Sequence, residues 1–180
     1  MQENEPRPAL DEETLAFAHR VFGYTRAGQA AELKELLAMG LPPNLRNEKG
    51  DSLLMLACYH GHVEVARALL EHGGDPELIN DRGQTPLAAA AFKGDAATIR
   101  LLLEHGAHVD SHGPDGRTAL TMAAMFNRVE IVDLLLAHGA DLLAHDAGGL
   151  TAEAAARAMG APDTPDRLFE AMKRREPPDD

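Results

Sequence analysis

Cys58-Tyr59-His60-Gly61-His62 gathers one thiol and two imidazoles in a short string, the ligand types that hold zinc. The spacing argues against that chemistry. Residues two apart on a helix lie about 200° apart around its axis, so Cys58 and His60 face away from each other, and no second cluster supplies further ligands. Cys58 reads instead as a small buried hydrophobe. His72, His105 and His138 form a second apparent array, each 33 residues from the next. Each also stands one residue before a glycine, in the last turn of a helix, where a partial positive charge suits the helix dipole. A coupled row would add like charges on protonation near the ordinary imidazole pKa, but the helix-end role is the simpler expectation.

Nothing else suggests a reaction. The carboxylates are scattered over turns and helix surfaces, and no nucleophile, base and orienting group can be assembled from the spacing. Gly148-Gly149 follows no strand, so it is not a phosphate-binding loop. No catalytic residue, metal or cofactor is expected, and the chain is not expected to be an enzyme.

The elements that place these residues are set by a period. Gly50, Gly83, Gly116 and Gly149 stand 33 residues apart, as do Gly40, Gly73, Gly106 and Gly139 and the hydroxyls Ser52, Thr85, Thr118 and Thr151. A period of this size marks stacked supersecondary units that cannot bury their apolar faces alone. Five units follow: 14–46, 47–79, 80–112, 113–145 and 146–175. Residues 1–13 are expected to be a disordered start with a helix N-cap, and 176–180 a disordered tail. In the unit 80–112, Asp81-Arg82-Gly83-Gln84 reads as a tight turn with Gly83 at positive φ. Thr85 then caps a short helix with Pro86 in its first turn. A second helix from about Ala96 presents Ile99, Leu102 and Leu103 on one face and stops at Gly106. Asp11 is the expected cap of the first helix, with Leu10 and Leu15 as a hydrophobic staple. Thr164-Pro165 is expected to start the last helix.

Composition agrees. The 180 residues are 44% hydrophobic but only 4% aromatic and lack Trp, so the core must be mostly Leu and Ala. No basic segment followed by an apolar run opens the chain, and no stretch approaches the ~18 apolar residues of a membrane span. A single cysteine cannot form an internal disulfide, which fits a reducing compartment; a cytoplasmic protein is expected. The net charge of −12 disfavours nucleic acid and anionic membranes. It would attract a basic protein; the plainer reading is that it keeps the chain soluble.

Gly-Gln-Thr-Pro-Leu (83–87), Gly-His-Val-Glu-Val (61–65), Leu-Leu-Leu-Glu-His-Gly-Ala (101–107) and Leu-Leu-Leu-Ala-His-Gly-Ala-Asp (134–141) resemble the ankyrin repeat. The resemblance covers roughly residues 14–160. It implies an all-α solenoid of helix-turn-helix units joined by β-turn fingers, used to bind other proteins. Small residues on the first helices, Ala57, Ala90, Ala91, Ala123, Ala124 and Ala156, would allow close approach and make that face concave. The family's histidine two residues after the capping-box proline is absent, since Met55, Ala88, Thr121 and Ala154 stand there. Its inter-repeat hydrogen bonds should be missing and the stack less rigid. Asn127 replaces the glycine found at Gly28, Gly61 and Gly94, and Asn tolerates left-handed φ.

The resemblance also implies a partner-facing column. Arg26, Tyr59, Phe92 and Met125 precede the inter-helix turns, beside Ala27, His60, Lys93 and Phe126. Tyr59, Phe92, Met125 and Phe126 would form a bulky stripe of interface composition; the same rings could instead pack between neighbouring helices. Glu48, Lys49 and Asp51, then Asp81, Arg82 and Gln84, then Asp115 and Arg117 would supply a polar rim from the fingers. Three functions are compatible: a monomeric protein-binding module, an acidic inhibitor or antidote of a basic enzyme or toxin, and a self-associating scaffold.

Overall fold

In the computed structural model, which describes residues 11–174, the helix pairs begin where capping chemistry dictates. Helix α1 (Glu12–Ala27) opens on Asp11, whose carboxylate accepts the Thr14 N–H at 2.7 Å. Helices α3 (Leu53–His60), α5 (Pro86–Lys93), α7 (Ala119–Met125) and α9 (Ala152–Ala158) open on Ser52, Thr85, Thr118 and Thr151. Each of these hydroxyls accepts a backbone N–H from the first turn, satisfying a group that has no partner inside the helix. The return helices are α2 (Ala30–Ala38), α4 (Val63–Glu71), α6 (Ala96–Glu104), α8 (Val129–Ala137) and α10 (Thr164–Lys173). Of the expected N-terminal segment 1–13, Asp11 is the cap and Glu12 and Glu13 open α1, while residues 1–10 and 175–180 lie outside the described residues.

The odd-numbered helices pack side by side as one layer and the even-numbered helices as a looser second layer. Ala57, Ala90, Ala91, Ala123, Ala124 and Ala156 are fully buried between the odd helices. Larger side chains, including Leu33, Leu69, Ile99, Leu102 and Leu135, fill the space between the layers. Each such burial stabilises the fold by about 1.5–3 kcal/mol. Small side chains thus separate the odd helices and larger ones fill the space between the two layers. Among the described residues there are no named strands, only single antiparallel bridges Arg46–Ser52 and His145–Thr151 in the fingers.

Other groups link the units where the family histidine is absent. Side-chain oxygens at three equivalent positions each accept a backbone N–H from the next unit. Asn44 accepts from Asp75 at 2.8 Å, Glu77 from His108 at 3.0 Å, and Asp110 from Asp141 at 3.0 Å. In the fingers, Asp81 N–H donates to the Lys49 carbonyl and Ala147 N–H to that of Asp115, at 3.2 and 2.8 Å. Backbone and side-chain oxygens thus bond one unit to the next.

The fingers are held internally by a residue at their base. Asn47 accepts the N–H groups of Lys49 and Asp51, Asn80 those of Arg82 and Gln84, and Asp146 those of Gly148 and Leu150. The fourth member of this register is Gly113. A Cβ there would overlap the carbonyl of Gly83 in the preceding finger, so close approach of two fingers excludes a side chain.

Candidate functional site: an aromatic ladder in a finger-lined cleft

Tyr59, Phe92 and Phe126 come from the ends of three successive inner helices and meet as one ladder. The Tyr59 and Phe92 rings are parallel, with centroids 5.7 Å apart and planes 8° apart. Phe126 stands edge-on to Phe92 at 4.6 Å and 88°. Both geometries avoid the repulsive face-to-face arrangement of aromatic quadrupoles. Phe92, at the centre, is half-buried, whereas Tyr59 is 46% and Phe126 38% exposed. The rings therefore both pack against each other and face solvent.

The ladder forms one wall of a cleft of about 350 Å³. Ala88, Ala89 and Met122, from the first turns of α5 and α7, line its floor, and Arg82, Gln84, Asp115 and Arg117 line it from the fingers. Met122 and the two alanines went unrecognised in the sequence. Their signal lay in the first turn of each inner helix, on the side facing the finger. Met125, expected in the stripe, is half-buried and does not line the cleft.

The other expected contact residues divide by position. His60 meets Tyr59 edge-on at 5.3 Å and His62 at 6.0 Å, and exposed Lys93 follows Phe92 at the helix end. Burial, and then the positive charges of His62, Arg26 and Lys93, hold the His60 imidazole below its ordinary pKa. Glu48, Lys49 and Asp81 are exposed on fingers outside the cleft lining. Asp51 requires correction: it is only 5% exposed. Its carboxylate accepts from Asn80 at 2.8 Å and from Asn47 at 3.3 Å, so it works inside the finger array and not at its surface.

Cys58 is fully buried, and burial pushes its thiol pKa upward, away from the reactive thiolate. His60 lies half-buried on the other side of the helix, against Tyr59. The histidines of the 33-residue array each bond the carbonyl four residues back through Nδ1: His72 to Ala68, His105 to Leu101 and His138 to Leu134, at 2.8–2.9 Å. They finish helices as hydrogen-bond donors, a more local role than a dipole contact.

Helix pairs stacked with concave inner helices and projecting β-turn fingers define an ankyrin-type solenoid. A family model of ankyrin repeats, in three copies, matches residues 24–112 and 72–146, well over half of the chain. The chain belongs to the ankyrin-repeat family. It is also similar to PA3287 of Pseudomonas aeruginosa, described as an ankyrin repeat protein, with 60% identity over 62 residues. That match covers 34% of this chain and 36% of the relative. No helix among the described residues is long and apolar enough to cross a membrane.

Proposed function

We propose that this chain is a non-catalytic protein-binding module that receives its partner on the concave face. Tyr59, Phe92 and Phe126 are the anchors, with Met125 beside them. Arg82, Gln84, Asp115 and Arg117 form the near rim, His60 and Lys93 the helix-end rim, and Glu48, Lys49 and Asp81 the outer finger contacts. The observation that carries this reading is the half-exposed aromatic ladder. Three rings that could have been covered by the stack instead stand in an open cleft, and aromatic anchors in such a setting supply most of the binding energy of protein interfaces. Family membership supports the same class of function, because solenoids of this kind generally bind proteins.

A photo-crosslinking amino acid placed at Phe126 tests the face directly. The reading expects crosslinks to a partner from position 126 and none from Arg100 on the exposed side of α6. Crosslinking from Arg100 but not from position 126 would move the interface to the outer helices.

A further inference from the structure

The chain's net charge is −12, yet the finger rim of the cleft carries two guanidinium groups with hydrogen-bonding capacity to spare. Arg82 and Arg117 reach their nearest carboxylates, Asp51 and Asp146, only at 3.8 Å, and their side chains are 64% and 47% exposed. Those separations are too long for hydrogen bonds, so the guanidinium donors stay available to a ligand. On the helix-end side, Lys93 forms no ion pair among the described residues. Its stem lies over Gly61, with Cε 3.1 Å from where a Cβ would stand, near His60 and outside the cleft lining.

The neighbouring carboxylates are engaged internally. Asp95 caps α6, accepting from Ala97 N–H, Thr98 N–H and the Thr98 hydroxyl at 3.1, 3.1 and 2.6 Å. Asp115 accepts the Arg117 N–H at 3.1 Å, and Asp51 is buried on Asn80. Asp95 and Asp51 are thus committed to the fold and Asp115 is engaged through one oxygen, while the side chains of Arg82, Arg117 and Lys93 stand exposed without a hydrogen-bonded carboxylate.

We propose that the cleft takes an acidic segment of a partner protein. An aromatic or aliphatic side chain lies against Phe92 between Tyr59 and Phe126, and flanking carboxylates meet Arg82 and Arg117 on one rim and Lys93 on the other. The inference rests on the docking reading above and adds the partner's chemistry. It runs opposite to the basic partner that net charge alone favours, because short-range donors govern contact while the average field is screened within about 10 Å.

Selection of a random peptide library displayed on phage against the full chain tests it. The expected winners pair an apolar residue with Asp or Glu on both sides. Synthetic peptides of those sequences should bind more weakly as salt rises. They should lose on the order of tenfold in affinity to the Arg82→Glu/Lys93→Glu variant, two exposed positions whose reversal turns attraction into repulsion. They should also lose binding to Tyr59→Ala/Phe92→Ala. Peptides that need Tyr59 and Phe92 but carry basic or neutral flanks would overturn the acidic inference and leave the docking face standing. No enrichment, or peptides indifferent to the ladder substitutions, would overturn both.

Discussion

Asn127 and Asp163 form a reciprocal pair. The Asn127 side-chain amide donates to the Asp163 carboxylate at 2.8 Å, and its oxygen accepts the Asp163 N–H at 3.0 Å. The same oxygen accepts the Thr164 N–H at 3.1 Å. Asp163 makes no side-chain cap bond of its own to α10, so a residue of one unit caps the last helix of the next. This explains why asparagine stands where glycine does in other units: it tolerates φ +54° and also supplies a cap. Asn127→Ala should cost about 1–2 kcal/mol, measured by urea denaturation. Asn127→Gly should cost less, because it relieves φ while still losing the cap. A fully stable Asn127→Ala variant would remove the capping role.

The clasp of Asn44, Glu77 and Asp110 predicts a stability series. Glu77→Ala and Asp110→Ala should each destabilise by about 1 kcal/mol, and the double variant by nearly the sum, since the two bonds lie one unit apart and share no partner. Chemical denaturation of the four proteins decides it. Near-zero single effects would return the stack to the less rigid state expected from the missing histidines.

Glycine positions should respond in opposite directions. Gly113→Ala forces a Cβ into the Gly83 carbonyl and should cost about 2 kcal/mol or more. Gly23 lies inside α1 with no atom near the position of an added Cβ. Gly23→Ala should therefore stabilise by about 0.5–1 kcal/mol through helix propensity. Thermal melts of both variants provide the comparison, and equal shifts would contradict the finger-contact account.

The fold was legible because its determinants are periodic. Glycines, capping hydroxyls and small alanines recur at one step, and each repetition fixes the register of the others. The same step made Tyr59, Phe92 and Met125 legible as a column, with Phe126 in the neighbouring one. That Phe126 rather than Met125 completes the ladder was not legible. Nor was the ring geometry, since it depends on helix spacing. Met122 was missed because it belongs to a different helical turn from the column. Asp51 was misplaced because a finger carboxylate looks solvated until Asn80 of the next unit is seen to close over it. The clasp escaped because its members are Asn, Glu and Asp, three residue types with one hydrogen-bonding function.

His60 gives a pH prediction. Its pKa is lowered in the folded chain, by burial first and then by His62, Arg26 and Lys93. Below the ordinary imidazole pKa of about 6.5, the unfolded chain binds this proton more readily than the folded one. Its contribution to stability is thus present above that pKa and is lost as pH falls through the lower folded value. His60→Gln should lose less stability than wild type between pH 7.5 and 5.5. Lys93→Met should shift the His60 titration upward when followed by NMR. Identical pH profiles of wild type and His60→Gln would contradict the assignment.

The concave ladder as docking face is tested most directly by affinity capture from native lysate with mass spectrometry, using wild type, Tyr59→Ala/Phe92→Ala and the outer-helix control Arg100→Ala. Circular dichroism should first establish that all three are folded. The ladder variant should then recover partners at about a tenth of the wild-type level or less, the size of effect expected when interface anchors are removed, while Arg100→Ala matches wild type. Retention of every wild-type partner by the folded ladder variant would contradict the account.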